Sequence, residues 1–123
     1  MKLDFDTETP HNSVTAYADG WVRIGDQRIE QACVITARGI YTDLLPPAIT
    51  ALSGAHIERL AELDADIVLL GTGAHQRFID YAHVQWLAER GIGLEMMDTG
   101  AACRSYNVLV AEGRAVAAAL YMI

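Results

Sequence analysis

The sequence predicts a single α/β domain built around a mixed β-sheet and entered through N-terminal β-hairpins. Three observations predict it. Short apolar runs separated by two-residue glycine turns fill the N-terminal part of the chain. Two later runs, Ile67 to Leu70 and Ile92 to Met97, each lead into a glycine-containing turn that opens toward a helical pattern. Those turns are Gly71-Thr72-Gly73 and Asp98-Thr99-Gly100, and a last apolar run covers Val116 to Met122.

At 123 residues the chain is long enough to bury a sizeable core. A hydrophobic share of 52% against 20% charged excludes a disordered chain. Sixteen acidic residues outweigh nine basic ones, for a formal net charge of −7. The arginines, from Arg23 to Arg114, stand singly, so no basic face is offered to nucleic acid, and an acidic balance disfavours anionic membranes. The longest apolar run, Ala115 to Ile123, falls far short of the ~20 residues a spanning helix needs, so no direct membrane insertion is expected. The N-terminus carries Asp4 and Asp6 where a secretory signal would carry positive charge. A cytoplasmic chain with Cys33 and Cys103 as reduced thiols is therefore expected.

Residues 1–13, polar and containing Pro10, are expected to form a flexible arm, with the domain occupying 14–123. Val14 to Ala18 runs into Asp19-Gly20, whose two positions tolerate the positive φ of a hairpin turn. Trp21 to Ile24 runs into Gly25-Asp26, a second such turn, and Arg28 to Glu30 follows. Tyr17 and Trp21 read as hairpin-face packing. Cys33 to Ala37 is continuously apolar and reads as a strand covered on both faces. Arg38-Gly39 breaks it before a short extension from Ile40 to Thr42. Leu44 to Pro47 is a crossover loop, because proline lacks the donor that a central strand or helix requires.

Ser53 is placed as an N-cap for a helix whose Ile57, Leu60, Ala61 and Leu63 recur at helical spacing. Asp64 to Asp66 leads to the strand Ile67 to Leu70, which reads as interior. After Gly71-Thr72-Gly73 an irregular stretch reaches Asp80, which caps a helix burying Val84, Leu87 and Ala88 and ending at Gly91. Ile92 to Met97 is expected beside Ile67 to Leu70 in parallel, with side chains nearly buried. Asp98 or Thr99 caps the next helix, with Ala102, Tyr106, Leu109 and Val110 on one face, and Gly113 ends it. A hairpin around Glu112-Gly113 is the competing reading. Crossover connections make at least three strands parallel, and the direction of the last strand stays open on these grounds.

The chemistry-bearing groups are few. Gly71-Thr72-Gly73 could bring backbone amides close to an anion, but Gln76 stands where the dinucleotide pattern needs its third glycine. Packing at a tight turn is the simpler reading. Asp98-Thr99-Gly100 reads first as helix capping. Cys103 beside Arg104 resembles an activated thiol, yet Leu109 occupies the place of a phosphatase arginine, and a buried structural thiol is the expectation. Neither the four histidines nor the cysteines have metal-ligand spacing, and no metal or cofactor is expected.

Leu69 to Gly73 with Gln76-Arg77-Phe78, and Met97 to Asn107 continuing through Glu112-Gly113-Arg114 to Leu120, carry a family resemblance. The chain resembles the family of conserved hypothetical proteins that includes the mitochondrial NADH dehydrogenase assembly factor 3. The resemblance implies a three-layer domain around a mixed sheet with its last strand antiparallel. It implies a role in respiratory complex assembly for the mitochondrial member, and no established enzyme activity for the small bacterial members. It differs from the family pattern at Pro46-Pro47 and Ile79. The expectation is a non-catalytic domain acting through an unnamed protein partner. The competing expectation is a small-molecule or anion-binding protein, an enzyme included, with a cleft between the two turns. Its residues would be Gly71, Thr72, Gly73, Gln76, Arg77, Asp98, Thr99, Gly100 and Arg104.

Overall fold

The computed structural model describes residues 11–123. Eight strands and three helices follow in the order β1 (Val14–Ala18), β2 (Trp21–Ile24), β3 (Gln27–Ile29), β4 (Cys33–Ile35), β5 (Ile40–Tyr41), α1 (Gly54–Ala61), β6 (Ile67–Thr72), α2 (Tyr81–Ala88), β7 (Gly93–Met97), α3 (Thr99–Ala111) and β8 (Val116–Tyr121). A 3₁₀ turn, Ile49–Ala51, precedes α1.

The hairpin reading holds: Ala18 pairs with Trp21 across Asp19-Gly20, and Ile24 with Gln27 across Gly25-Asp26. These hairpins form a separate three-stranded sheet, β1-β2-β3. The remaining strands form a five-stranded mixed sheet in the order β5-β4-β8-β6-β7. β6, β7 and β8 are the three parallel strands. The resemblance implied a mixed sheet with an antiparallel last strand, and β8 does pair antiparallel with β4. Toward β6 it runs parallel, because α3 carries the chain back before it re-enters the sheet.

The layers follow from the alternation of side chains along the strands. One face of the large sheet, with Ile35, Leu69, Ala118 and Leu120, packs against α3 and the small sheet. The other, with Val34, Val68, Leu70 and Ala119, packs against α1 and α2. Cys33 to Ile35 and Val68 to Leu70 are buried on both faces, as their continuous apolar runs predict. The helix through Tyr106 replaces the competing hairpin: Ala102, Tyr106 and Val110 lie buried on its inner face.

Two details differ from expectation. β7 is an edge strand, so Leu94, Met96 and Met97 are only half-buried and Glu95 is exposed. Ala88 is exposed, since α2 has one fully buried residue, Leu87. The expected flexible arm falls largely outside the described residues. Its end is tied down: Asn12 donates to the carbonyls of Ala37, Thr36 and Gly39 and accepts from the Tyr106 hydroxyl.

Candidate functional site

The carboxyl ends of β6, β7 and β8 converge, and Thr99 joins two of them. Asp98 is the N-cap of α3, its carboxylate accepting from the Ala101 amide at 2.9 Å. That cap starts the helix immediately after β7 and sets Thr99, fully buried, against the ends of β6 and β8. Its Oγ1 accepts from the Gly73 amide at 2.8 Å and donates to the Tyr121 carbonyl at 2.6 Å. Its own amide donates to the Gly73 carbonyl at 2.9 Å. The two glycine turns therefore meet, and they bond each other.

Gly71 and Thr72 are strand residues, a correction to the reading of a three-residue turn, and they pair with Leu120 and Tyr121 of β8. A Cβ at Gly71 would stand 3.0 Å from Thr99 Oγ1 and 3.1 Å from Thr99 Cα. The glycine is there so that α3 can approach the sheet. Gly73 has φ +100, which an L side chain rarely adopts, and its turn redirects the chain into the loop that follows. Thr72 Oγ1 sits 3.1 Å from the Met97 carbonyl and 2.7 Å from the His75 carbonyl and accepts from the Arg77 amide at 3.0 Å. Gln76 donates to the Met96 carbonyl at 3.0 Å. These bonds fold residues 73–80 over the end of the edge strand.

Arg104 is held elsewhere. Its guanidinium donates to the Tyr17 hydroxyl, tying α3 to β1. The same hydroxyl lies 3.0 Å from where a Gly100 Cβ would be, so Gly100 serves that contact. Arg104 also lines a shallow groove of about 510 Å³ with Ile67, Leu69, Glu95, Val108 and Arg114. Arg77 lines two different cavities, of about 360 and about 370 Å³. Among the expected site residues, Thr72, Gly73 and Arg77 line the second of these, while Asp98, Thr99, Gly100 and Arg104 do not.

Both thiols are buried, and Arg104 does not activate Cys103. Burial pushes Cys33 up to about 12, with the Cys103 thiol adding to the rise. Burial pushes Cys103 up to about 11 despite the opposing pull of Arg104. Burial also raises the phenols of Tyr106 and Tyr121, the latter to about 12. Among the described residues no group of three His, Cys, Asp or Glu side chains is arranged to hold a metal, and no helix is long and apolar enough to cross a membrane.

Sequence reasoning missed Ile49, Thr50 and Phe78, which line the Arg77 cavities. The available signal was Phe78 itself, a large apolar residue in a stretch with neither helical nor strand periodicity.

A family described as protein of unknown function (DUF498/DUF598) matches residues 14–121. The chain belongs to this family. Among its relatives is the NADH dehydrogenase [ubiquinone] 1 alpha subcomplex assembly factor 3 of Danio rerio, 37% identical over 87 residues. That match covers 63% of this chain and 50% of the relative, so the chain spans about half the length of the curated protein it matches. Solved structures share the fold of the family over nearly their full length. A Bordetella parapertussis protein superposes with a TM-score of 0.86 at 34% identity, covering 94% of this chain and 98% of the other. A Bordetella pertussis protein described as a Mth938-like domain gives 0.80 at 30% identity, covering 99% and 92%.

Proposed function

We propose that this domain is a non-catalytic assembly factor of the cytoplasm that acts by holding another protein during construction of a respiratory complex. The observation that carries this reading is an exposed aromatic pair, Phe78 on the loop after β6 and Tyr81 at the start of α2. Phe78 is 76% exposed and Tyr81 68% exposed, the two most exposed large apolar side chains among the described residues. Aromatic residues left in water at a braced loop are what a protein contact uses as anchors. The loop is held rather than free, because Thr72 and Gln76 fasten it to β7. Little entropy would then be lost on docking. The relative from Danio rerio, named as an assembly factor for NADH dehydrogenase, supports the same role here. The buried, alkaline-shifted thiols offer no nucleophile that would favour catalysis.

The test is affinity capture from native cells with the unaltered chain and with a Phe78→Ser, Tyr81→Ser double variant. The unaltered chain is expected to retain a defined partner, a respiratory-complex subunit or co-assembly protein. The double variant should lose it by roughly tenfold or more, since aromatic anchors often carry over 1 kcal/mol each. Its own stability should change by no more than about 0.5 kcal/mol, as both side chains face solvent. Equal recovery of the same partner by both proteins would remove the loop from the interface.

A further inference from the structure

The protein-contact reading leaves the hollow beside the aromatic loop unassigned. The two Arg77 cavities share Ile49 and Thr50 as well as Arg77, so they form one elongated hollow. Each part, about 360 and about 370 Å³, falls in the range of small-molecule sites, roughly 300–1,000 Å³. Its chemistry is graded from end to end. The end at the β6 turn is lined by Thr72 and His75, with no carboxylate among the described residues, and Arg77 lines both ends. The far end is lined by Leu52, Phe78 and Ile79. Asp80 stands only at this far end, where its carboxylate caps α2 by accepting from the Ala82 amide at 2.9 Å.

The Arg77 guanidinium makes no hydrogen bond or ion pair with any described residue; only its backbone amide is bonded. A chain with a net charge of −7 repels anions at large, so a cation without a partner beside an apolar wall is a local exception. We propose that this hollow binds a small organic anion, a carboxylate on an apolar body. The carboxylate would sit on Arg77 at the carboxylate-free end, with the body against Leu52, Phe78 and Ile79. A guanidinium fork matches a carboxylate in two parallel hydrogen bonds. A phosphate is the poorer fit. Two of the amides that could cradle its second charge are taken, Gly73 by Thr99 and Arg77 by Thr72.

This site shares Phe78 with the proposed partner contact, but it is read on the purified chain with no partner present, so the two readings fail separately. Titration with benzoate, followed by ¹H–¹⁵N correlation spectra, should give saturable shifts confined to amides of residues 48–52 and 73–80. Inorganic phosphate should bind at least roughly tenfold more weakly. Arg77→Gln should weaken benzoate by roughly tenfold or more, the loss expected for a charge-assisted pair. Thr50→Trp fills the shared part of the hollow, keeps Arg77, and should also abolish binding. Both positions are exposed, so both variants fold. Absence of saturable benzoate shifts, shifts that map elsewhere, or equal binding by Arg77→Gln would each overturn the site. Phosphate binding as strong as benzoate would overturn the apolar part of the assignment.

Discussion

The strand-turn-helix units at β6 and β7 look alike in sequence and do opposite things in the fold. In the second, α3 begins at Thr99, directly after its cap Asp98. Only Asp98 separates strand from helix, so the Thr99 hydroxyl is driven inward and satisfied by the ends of β6 and β8. In the first, residues 73–80 lie between the end of β6 and the start of α2. The extra chain has length enough to leave the core, and it carries Arg77 and Phe78 into solvent. The distance between strand end and helix cap therefore decides which glycine turn becomes packing and which becomes a presenting surface.

That contrast can be broken at its most tightly packed point. Gly71→Val places carbon against the α3 backbone at Thr99 and against Leu120, both within about 3 Å. It should cost about 3 kcal/mol, read as a lower urea midpoint at unchanged slope. A loss under about 1 kcal/mol would mean that α3 shifts freely and that the packing is loose. The next effect is Thr99→Val. It strands the Gly73 amide and the Tyr121 carbonyl in a fully buried place, at a cost of about 2 kcal/mol, and Thr99→Ser should recover most of it. If Val and Ser variants unfold alike, the hydroxyl is not the fastening.

Alkaline pH probes the core beneath α3. The thiols ionise near 9.0 when unfolded and near 11 to 12 when folded. Between those values the unfolded state binds fewer protons, so stability is complete below about pH 9 and is lost as pH rises toward 12. Tyr106 and Tyr121, raised in the same direction, add to the loss above pH 10. At neutral pH alkylation of both cysteines in the folded protein should be slow. Rapid labelling of Cys103 under native conditions would contradict its burial. Removing Cys33 and Cys103 by alanine substitution should flatten the alkaline decline in denaturation measurements. The smallest stability effect belongs to the loop, where Phe78→Ser should stay within about 0.5 kcal/mol.

What the sequence made legible was local. Ser53, Asp80 and Asp98 are caps because a cap is chosen by its own side chain and the next three residues. Ile67 to Leu70 is interior because its apolar run shows no alternation. The function of Gly71 was not legible, since it depends on Leu120 and Thr99, distant positions that become neighbours only through strand order. Arg104 follows Cys103 in sequence, yet its charge goes to Tyr17, because consecutive helical residues point about 100° apart. The Arg77 hollow was invisible for a similar reason. Its walls come from two irregular segments, around Ile49 and around Phe78, that carry no period to read.

β8 is the last strand in the chain and the middle strand of the large sheet, flanked by β4 and β6. Until Val116–Tyr121 arrives, those two flanking strands have no hydrogen-bonded neighbour on their facing edges. On a ribosome, β4 and β6 would emerge before β8 and wait for it to close the sheet. Such non-local pairing is slow to form, and open edges invite pairing with other chains. The domain is thus exposed to aggregation until β8 has emerged, and three small core side chains, Ala117 to Ala119, lie where the closing strand must slide in.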